Sequence, residues 1–169
     1  MRAQALDHLH NFRFHVVADI VDKPNALGFI APGDAEAGFQ SVGTPELTVD
    51  EAEYREGHYQ WTRKEPGIGT WSPITMARGV TKSDTTFLDW CLRSTDNREY
   101  RADLTVFHWH RDGKIPGQTG NQGLAKHYRL NEAFATRCKV SGDLDATDSE
   151  ISLQELDVSY EFAEVESAG

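Results

Sequence analysis

Residues 54–90 constrain the fold of this chain more than any other part of the sequence. The segment opens with an acidic, alternating run that ends at Gly57. A long loop at 58–71, rich in proline and glycine, is predicted next, followed by a short strand at 72–80 and a helix at 84–94. No group of side chains in the segment forms a catalytic constellation. The pattern therefore predicts strands joined by a contact-making loop rather than an active site.

Alternating apolar and polar residues predict further strands. Phe12, Phe14 and Val16 alternate with polar residues, as in a strand with one buried face. The second half of 46–56 is acidic on both faces, so at least one face must meet water or a cationic partner. The apolar phase changes within the last strand, which predicts a β-bulge near Gln154 and Glu155. The predicted strands are 11–21, 46–56, 72–80, 104–110, 128–140 and 150–162.

The length of 169 residues suits a single domain spanning 1–169, and no linker or internal repeat divides it. Residues 1–11 are predicted to be a polar N-terminal arm. Residues 22–38 and 115–127 are predicted to be extended loops because turn-forming residues are frequent there. An ordered loop as long as 22–38 is usually functional or part of an interface.

The net charge of −10 argues against a surface that grips nucleic acid through its phosphates, and against binding of the monomer to an anionic membrane. No run approaches the roughly 20 apolar residues that span a bilayer, and no signal peptide is recognisable. We therefore expect the chain to fold in the cytoplasm of its producer. Cys91 and Cys138 lack zinc-ligand spacing, and Cys91 is interpreted as a small buried apolar side chain.

Two kinds of metal site stay open as alternatives. His108 and His110 share one face of a predicted strand and, with Asp112, could hold a transition metal. The acidic run 50–56 could hold calcium, although the EF-hand spacing is absent.

A third alternative is a carbohydrate-binding β-sandwich that uses Trp61, Trp71 and Trp109. The sequence carries neither a nucleophile elbow nor a phosphate-binding loop with the correct spacing. No cofactor is therefore predicted.

Three blocks in chain order carry a resemblance to a known family. The first is NFRFHV at 11–16. The second comprises GFQSV at 38–42, YREG at 54–57, KEPG at 64–67, ITMARGV at 74–80 and FLDW at 87–90. The third is YRLNEAF at 128–134, followed by DLDA at 143–146 and the closing strand. Together they resemble the phage tail tube proteins of the T-even type, a family shared by contractile phage tails and phage-tail-like injection systems.

The resemblance implies an antiparallel β-barrel or β-sandwich with one flanking α-helix and a long inter-strand loop. It implies that six copies close into a ring, and that rings stack into a hollow tube. Phage DNA or another injected cargo would cross this tube without binding tightly. A sheath protein, a baseplate and a tape-measure protein would be its partners, in a virion tail or an equivalent particle, with no enzymatic role. A minor tube-like protein that joins the tube to the baseplate stays open as an alternative.

Candidate functional residues follow from charge and aromatic content. The loop at 58–71 combines cations with aromatic rings, which suits contact with a neighbouring subunit. The predicted inter-subunit contacts are Tyr59, Trp61, Arg63, Lys64, Glu65 and Trp71. Carboxylates on the strands can line a wet channel that repels DNA phosphates, although which face of each strand is inward is left open. The predicted lumen-facing residues are Glu46, Asp50, Glu53, Glu56, Glu155 and Asp157.

Overall fold

The computed structural model describes residues 14–20, 39–80, 85–96, 98–109, 124–142, 144 and 150–167. These residues form nine β-strands and one α-helix. The elements are β1 (Phe14–Ile20), β2 (Phe39–Val42), β3 (Glu46–Tyr54), β4 (Arg63–Ser72), β5 (Ile74–Gly79), α1 (Thr86–Thr95), β6 (Ala102–Trp109), β7 (Leu124–Lys139), β8 (Leu153–Ser159) and β9 (Phe162–Ser167).

The strands form two antiparallel sheets that share the long strand β7, and β3 and β4 form a separate hairpin. Sheet 1 has the order β1–β6–β7–β9, and sheet 2 has the order β7–β8–β5–β2. Among the described strands the path does not close on itself, because β1 and β2 stand at its two ends. The fold is therefore a β-sandwich rather than a closed barrel, and the predicted class, mainly antiparallel β with one helix, is confirmed.

The hydrophobic core lies between the two sheets and beneath α1. Leu104 and Leu130 from sheet 1 and Met76 from sheet 2 are fully buried in it. From α1, Phe87 and Trp90 enter the same core, and Trp90 Nε1 donates to the carbonyl oxygen of Tyr100 at 2.6 Å. Alternate strand residues reach this core, as the two-residue period of a strand requires.

The helix lies close to its predicted position, and the i, i+4 spacing of apolar residues predicts a buried stripe of Phe87, Leu88, Cys91 and Leu92. Phe87 is buried as predicted and Cys91 is partly buried, but Leu88 and Leu92 are exposed and Trp90 is buried instead. The two aromatic rings bury more apolar area than the two leucines, so they set the rotation of the helix.

The sandwich has a corner where β7 passes from sheet 1 to sheet 2. Asn131 and Glu132 lie opposite the single residue Asp103 of β6, which makes a β-bulge, and Glu132 has a positive φ of 54°. Between β8 and β9, the Glu161 N–H donates to the Asn131 carbonyl oxygen at 3.1 Å. Arg101 pairs with the carboxylates of both Glu132 and Glu161. The bulge and this ion pair together bend the β7 ribbon between the sheets.

We expect Glu132→Val to cost about 1–2 kcal/mol of unfolding free energy, because a β-branched residue is strained at positive φ. Glu132→Gly should stay within about 1 kcal/mol of the parent, since glycine adopts this φ freely while the ion pair is lost. Urea denaturation of both variants checks the difference. Equal losses of unfolding free energy in the two variants would show that the Glu132 carboxylate, and not the backbone conformation of residue 132, stabilises the corner.

The long loop predicted at 58–71 is wrong, because Arg63–Ser72 is the strand β4 and pairs with β3 along its length. Only residues 55–62 connect the two strands. Proline and glycine in this segment suggested a loop, but Pro66 lies in a two-stranded sheet, where each strand has a free edge and a missing N–H is tolerated.

The bulge predicted near Gln154 and Glu155 is also wrong. The pairing of β8 with β5 is continuous, from Ile74 opposite Val158 to Gly79 opposite Leu153. Gln154 is buried on the core side, and Ile151 is 80% exposed. The polar Gln154 occupies an inward position that the apolar pattern did not reveal. The predicted strand 150–162 ends at Ser159, and β9 begins at Phe162.

Several predicted segments lie wholly or partly outside the described residues. They are the arm 1–11, the loop 22–38 and most of the loop 115–127. Residues 124–127 of that last loop belong to β7. None of the helices in the described part of the chain has the length and apolar character needed to cross a membrane.

Candidate assembly surface

The β3–β4 hairpin is the most exposed element of the fold. Every residue of β3 is exposed, and β4 is exposed as far as Thr70. The exposed side chains include large apolar ones, with Trp61 72% exposed and Ile68 76% exposed. A two-stranded hairpin on its own is marginally stable in water. Both properties indicate a surface that is covered by another molecule.

The root of the hairpin is fixed to the sandwich by aromatic packing. Trp71 lies opposite Leu47 in the hairpin register, and its ring centroid is 6.0 Å from that of Tyr160. Tyr160 is buried, and burial raises the pKa of its hydroxyl. The Gly43 N–H donates to the Thr75 carbonyl oxygen at 2.9 Å beside this root. The hairpin therefore projects from a well-defined base.

A β-bulge interrupts the hairpin half-way along. Asp50 lies opposite two residues of β4, Gly67 and Ile68. A Cβ atom at position 67 would lie 3.0 Å from the Asp50 carbonyl oxygen, so glycine permits the close approach of the two strands there. Ile68 is the large apolar residue that this bulge presents.

The two faces of the hairpin differ in character. Leu47 and Val49 share one face near the root, and Glu51 and Glu53 continue that face towards the turn. Lys64 lies on the same face and pairs with the carboxylates of Glu51 and Glu53. The face is therefore apolar at the root and ion-paired near the turn. Such exposed pairs contribute little stability.

The six predicted contact residues are spread along the hairpin rather than gathered at one point. Tyr59, Trp61 and Arg63 lie at or beside the turn, where the Arg63 guanidinium is 5.2 Å from the Tyr59 ring centroid. Lys64 and Glu65 follow in β4, and Trp71 is at the root. Arg63 also lies 3.8 Å from the Glu56 carboxylate. Both predicted cations are thus already paired within the hairpin.

The six predicted lumen-facing carboxylates do not share one surface. Glu46 and Asp50 lie on one face of β3 and Glu53 lies on the other. Glu56 is in the connection between the strands.

The other two predicted lumen residues lie on the outer face of sheet 2. Arg137 bridges them, at 2.9 Å from Glu155 and 3.1 Å from Asp157. The Thr75 hydroxyl also donates to Asp157 at 2.8 Å. The single positive charge of Arg137 therefore offsets one of the two negative charges of Glu155 and Asp157.

The sequence did not reveal the free edges of sheet 1. The strands β1 and β9 stand at its two sides, and the described strands leave one edge of each unpaired. Such edges present unpaired backbone groups that can bind another strand. Alternation identifies strands but not their neighbours, so no signal in the sequence would have found these edges.

The outer face of sheet 1 carries a row of side chains across all four strands. His15, Phe107, His127 and Glu166 are cross-strand partners in that order. The next row along the sheet includes Arg129, whose guanidinium lies 2.8 Å from the Asp103 carboxylate. The face mixes aromatic and charged side chains.

His15 is a neutral histidine in this face. Its ring stacks on Phe107 with centroids 4.6 Å apart, and its Nδ1 accepts the Trp109 indole N–H at 2.7 Å. Burial lowers the pKa of His15 to about 4. The hydrogen bond from Trp109 also requires Nδ1 to be unprotonated.

We expect His15 to make folding sensitive to mild acid. Its folded pKa lies below the unfolded value of roughly 6.5, so its contribution is complete above that pH and is lost as the pH falls towards 4. The melting temperature should drop by several degrees over this window, and less in His15→Gln. His58→Gln, in the exposed hairpin connection, is the matched control. Identical pH profiles for the parent and His15→Gln would contradict this account.

The metal and carbohydrate alternatives find no support. In the described residues no group of three or more histidine, cysteine or acidic side chains could hold a metal ion, and His110 and Asp112 lie outside them. Of the three tryptophans proposed as a sugar platform, Trp109 is 8% exposed and Trp71 packs on Tyr160. The three rings therefore do not form an exposed platform.

The model of the T4-like virus tail tube protein gp19 family matches residues 10–164. The chain belongs to this family. The resemblance in the three sequence blocks is thereby confirmed, and a tail tube protein is a component of phage tails and phage-tail-like particles. No curated protein sequence matches the chain.

Solved structures of contractile injection systems share the fold of this tail tube protein. A chain in the PVC sheath-tube complex, an extracellular contractile injection system in the extended state, has a TM-score of 0.72 and 23% identity over 95% of this chain and 93% of that one. The anti-feeding prophage tube-terminating cap has a TM-score of 0.72 and 20% identity over 99% and 100%. The anti-feeding prophage baseplate, 6-fold symmetrised, has 0.70 and 20% over 99% and 98%.

Proposed function

We propose that this tail tube protein is the repeating tube subunit, and that six copies form each ring of a hollow conduit. The observation that supports this most directly is the pair of edges on sheet 1 that the described strands leave unpaired, together with a hairpin that is exposed from its turn down to Thr70. In a monomer, unpaired strand edges promote aggregation and an uncovered hairpin is only marginally stable. Contact with neighbouring copies would pair the edges and cover the hairpin.

Ring closure through sheet 1 is consistent with its strand directions. The four strands alternate in direction, so β1 and β9 are antiparallel to each other. Rotation about the ring axis preserves the direction of each strand along that axis. The β1 strand of the next copy can therefore extend the sheet at β9 in the same antiparallel pattern. Six copies of four strands would give 6 × 4 = 24 strands and leave no open edge in sheet 1.

A ring closed in this way would expose the outer face of sheet 1 to the channel. Among the side chains that the structure describes on this face, three are carboxylates, Asp103, Glu164 and Glu166, and one is a cation, Arg129. With histidines neutral, these sum to −3 + 1 = −2 for each copy and 6 × −2 = −12 for a ring. A negative wall repels DNA phosphates and lets DNA pass without binding.

The lumen residues predicted from the sequence, on the hairpin and on sheet 2, stay a prediction. The closed-ring arrangement offers a different wall. Thiol labelling tests the sheet 1 wall, because a cysteine introduced at Glu164 would become inaccessible to a bulky reagent in tubes if sheet 1 lines the channel. A cysteine at Glu164 that reacts as fast in tubes as in the monomer would contradict this wall.

The hairpin is proposed to contact neighbouring subunits through the six residues named above and through Ile68. Its apolar side chains lose water only when a neighbour covers them, which gives assembly a hydrophobic driving force. A sheath protein, a baseplate and a tape-measure protein are the proposed partners, and DNA or an injected protein is the proposed cargo. No catalytic role is proposed.

A cap or baseplate role is the second candidate, because solved cap and baseplate chains share this fold as closely as the tube complex does. Electron microscopy of the purified protein separates the two functions. Hollow stacks of rings with six-fold symmetry and variable length support the tube subunit. Single rings that do not stack support the cap or baseplate role, and a strict monomer at high concentration contradicts both.

A further inference from the structure

The two cysteines of the chain are free thiols placed on neighbouring elements. Cys91 is on α1 and Cys138 is on β7, both are partly buried, and both pack against the central core. The helix α1 packs on β7. We propose that Cys91 and Cys138 form an intramolecular disulfide when the folded subunit meets an oxidant, and that this bond fastens α1 to β7.

The register of sheet 2 directs Cys138 towards the core. Cys138 pairs with Leu156, and Leu156 pairs with Met76, and both partners are fully buried. Directly opposed residues of an antiparallel pair point to the same face of the sheet. The Cys138 thiol is therefore on the face that α1 covers, and not on the outer face that carries Arg137.

The position of Cys91 follows from the helix residue one turn before it. The Phe87 ring lies 4.0 Å from the guanidinium carbon of Arg78, which is on β5 two residues beyond Met76. Residues four apart on a helix lie on the same side, about 6 Å from each other. Cys91 is therefore above the same face of sheet 2 as the Met76–Leu156–Cys138 row.

Electrostatics supports this proximity. Burial raises the pKa of the Cys138 thiol, and a Cys91 thiolate raises it further, which agrees with the placement of both cysteines over the same face of sheet 2. The positive charges of Arg137 and Arg78 lower the pKa of Cys138, but by less than burial and Cys91 raise it. A thiol with a raised pKa forms little thiolate at neutral pH, so oxidation should accelerate as the pH increases.

The oxidant we consider is glutathione disulfide. One protein thiolate attacks a glutathione sulfur atom, forms a mixed disulfide and releases one glutathione thiolate. The second protein thiolate then displaces the other glutathione. Two protein thiols are oxidised, one small disulfide is reduced to two thiols, and two protons leave with the products.

The bond would close a loop of roughly 50 residues, which restricts the unfolded chain. The melting temperature should rise by roughly 5–15 °C on oxidation. A subunit made in a reducing cytoplasm would gain this stability only after its particle reaches an oxidising medium.

The test incubates the reduced, folded subunit with glutathione disulfide at about pH 8.5, near the pKa of a free thiol. Intact mass should fall by about 2 Da, a peptide pair containing Cys91 and Cys138 should be recovered, and the melting temperature should rise. Cys91→Ser and Cys138→Ser should each stop at a single glutathione adduct, without the rise. Circular dichroism before and after oxidation confirms that the subunit stays folded.

Three results would overturn the proposal. They are stable glutathione adducts at both cysteines of the folded parent, disulfide-linked dimers instead of an internal bond, and thiols that stay unreacted until the chain is denatured. The first two would mean that the two sulfur atoms do not meet in the native fold, and the third that the oxidant does not reach them there.

Discussion

The double substitution Trp61→Asp and Ile68→Asp is expected to prevent tube formation at the concentrations where the parent assembles, while the subunit itself stays folded. Both side chains are more than two-thirds exposed in the monomer, and neither belongs to the core cluster. Their replacement removes apolar area that only a neighbour can cover and places two carboxylates in that contact. We expect the concentration at which tubes form to rise by about 100-fold or more, and the free energy of unfolding to change by less than about 0.5 kcal/mol.

Pelleting of tubes at graded concentrations measures this effect, with urea denaturation of the monomer in parallel. Leu144→Asp is a matched control, because Leu144 is an exposed leucine outside the hairpin. Tubes that form at the parental concentration from the double variant would remove the hairpin from the assembly contacts. A fall in monomer stability that matches the loss of assembly would mean that the hairpin acts through the fold instead.

The substitution Val165→Lys is expected to prevent ring closure by blocking the pairing of β9 with a neighbouring copy, which is a different contact from that of the hairpin. Val165 is 56% exposed and lies on β9, which pairs with β7 on one edge and is left unpaired on the other by the described strands. It ends an apolar row that crosses sheet 1 through Val16, Val106 and Tyr128. Pairing with the β1 strand of the next copy would continue that row and desolvate a charge placed at its end. Charged residues on edge strands are a natural device against such pairing.

We expect Val165→Lys to remain monomeric at concentrations about 100-fold above those at which the parent forms rings. Light scattering after size-exclusion chromatography gives the mass. Leu88→Lys, on the exposed side of α1, adds the same charge away from both proposed contacts and should assemble normally. Closed rings from Val165→Lys would show that the β9 edge is not where copies meet.

The sequence predicted those parts of the fold that depend on local pattern. Alternation located β1, β6 and the span of β8, and the spacing of apolar residues located α1. The bulge predicted in β8 and the two leucines predicted to be buried in α1 were wrong. The strand β4 was missed because Pro66, Gly67 and Gly69 are typical of loops. Its pairing with β3 comes from the register of the hairpin and not from the propensity of its residues.

The candidate site was predicted less completely than the fold. The inter-subunit contacts predicted from aromatic and cationic residues at 58–71 stay a prediction, and the ion pairs of Lys64 and Arg63 within the hairpin depend on cross-strand register. The pairing of Glu155 and Asp157 with Arg137 depends on the order of strands in sheet 2. The free edges of sheet 1 likewise follow from topology, which one sequence does not contain.

A cryo-EM reconstruction of the assembled protein, at a resolution that separates strands, shows which strands join neighbouring copies. We expect six-fold rings in which β9 of each copy is hydrogen-bonded, antiparallel, to β1 of the next, with Asp103, Arg129 and Glu164 facing the channel. Rings that close through other elements, with both edges of sheet 1 left open to solvent, would contradict this arrangement.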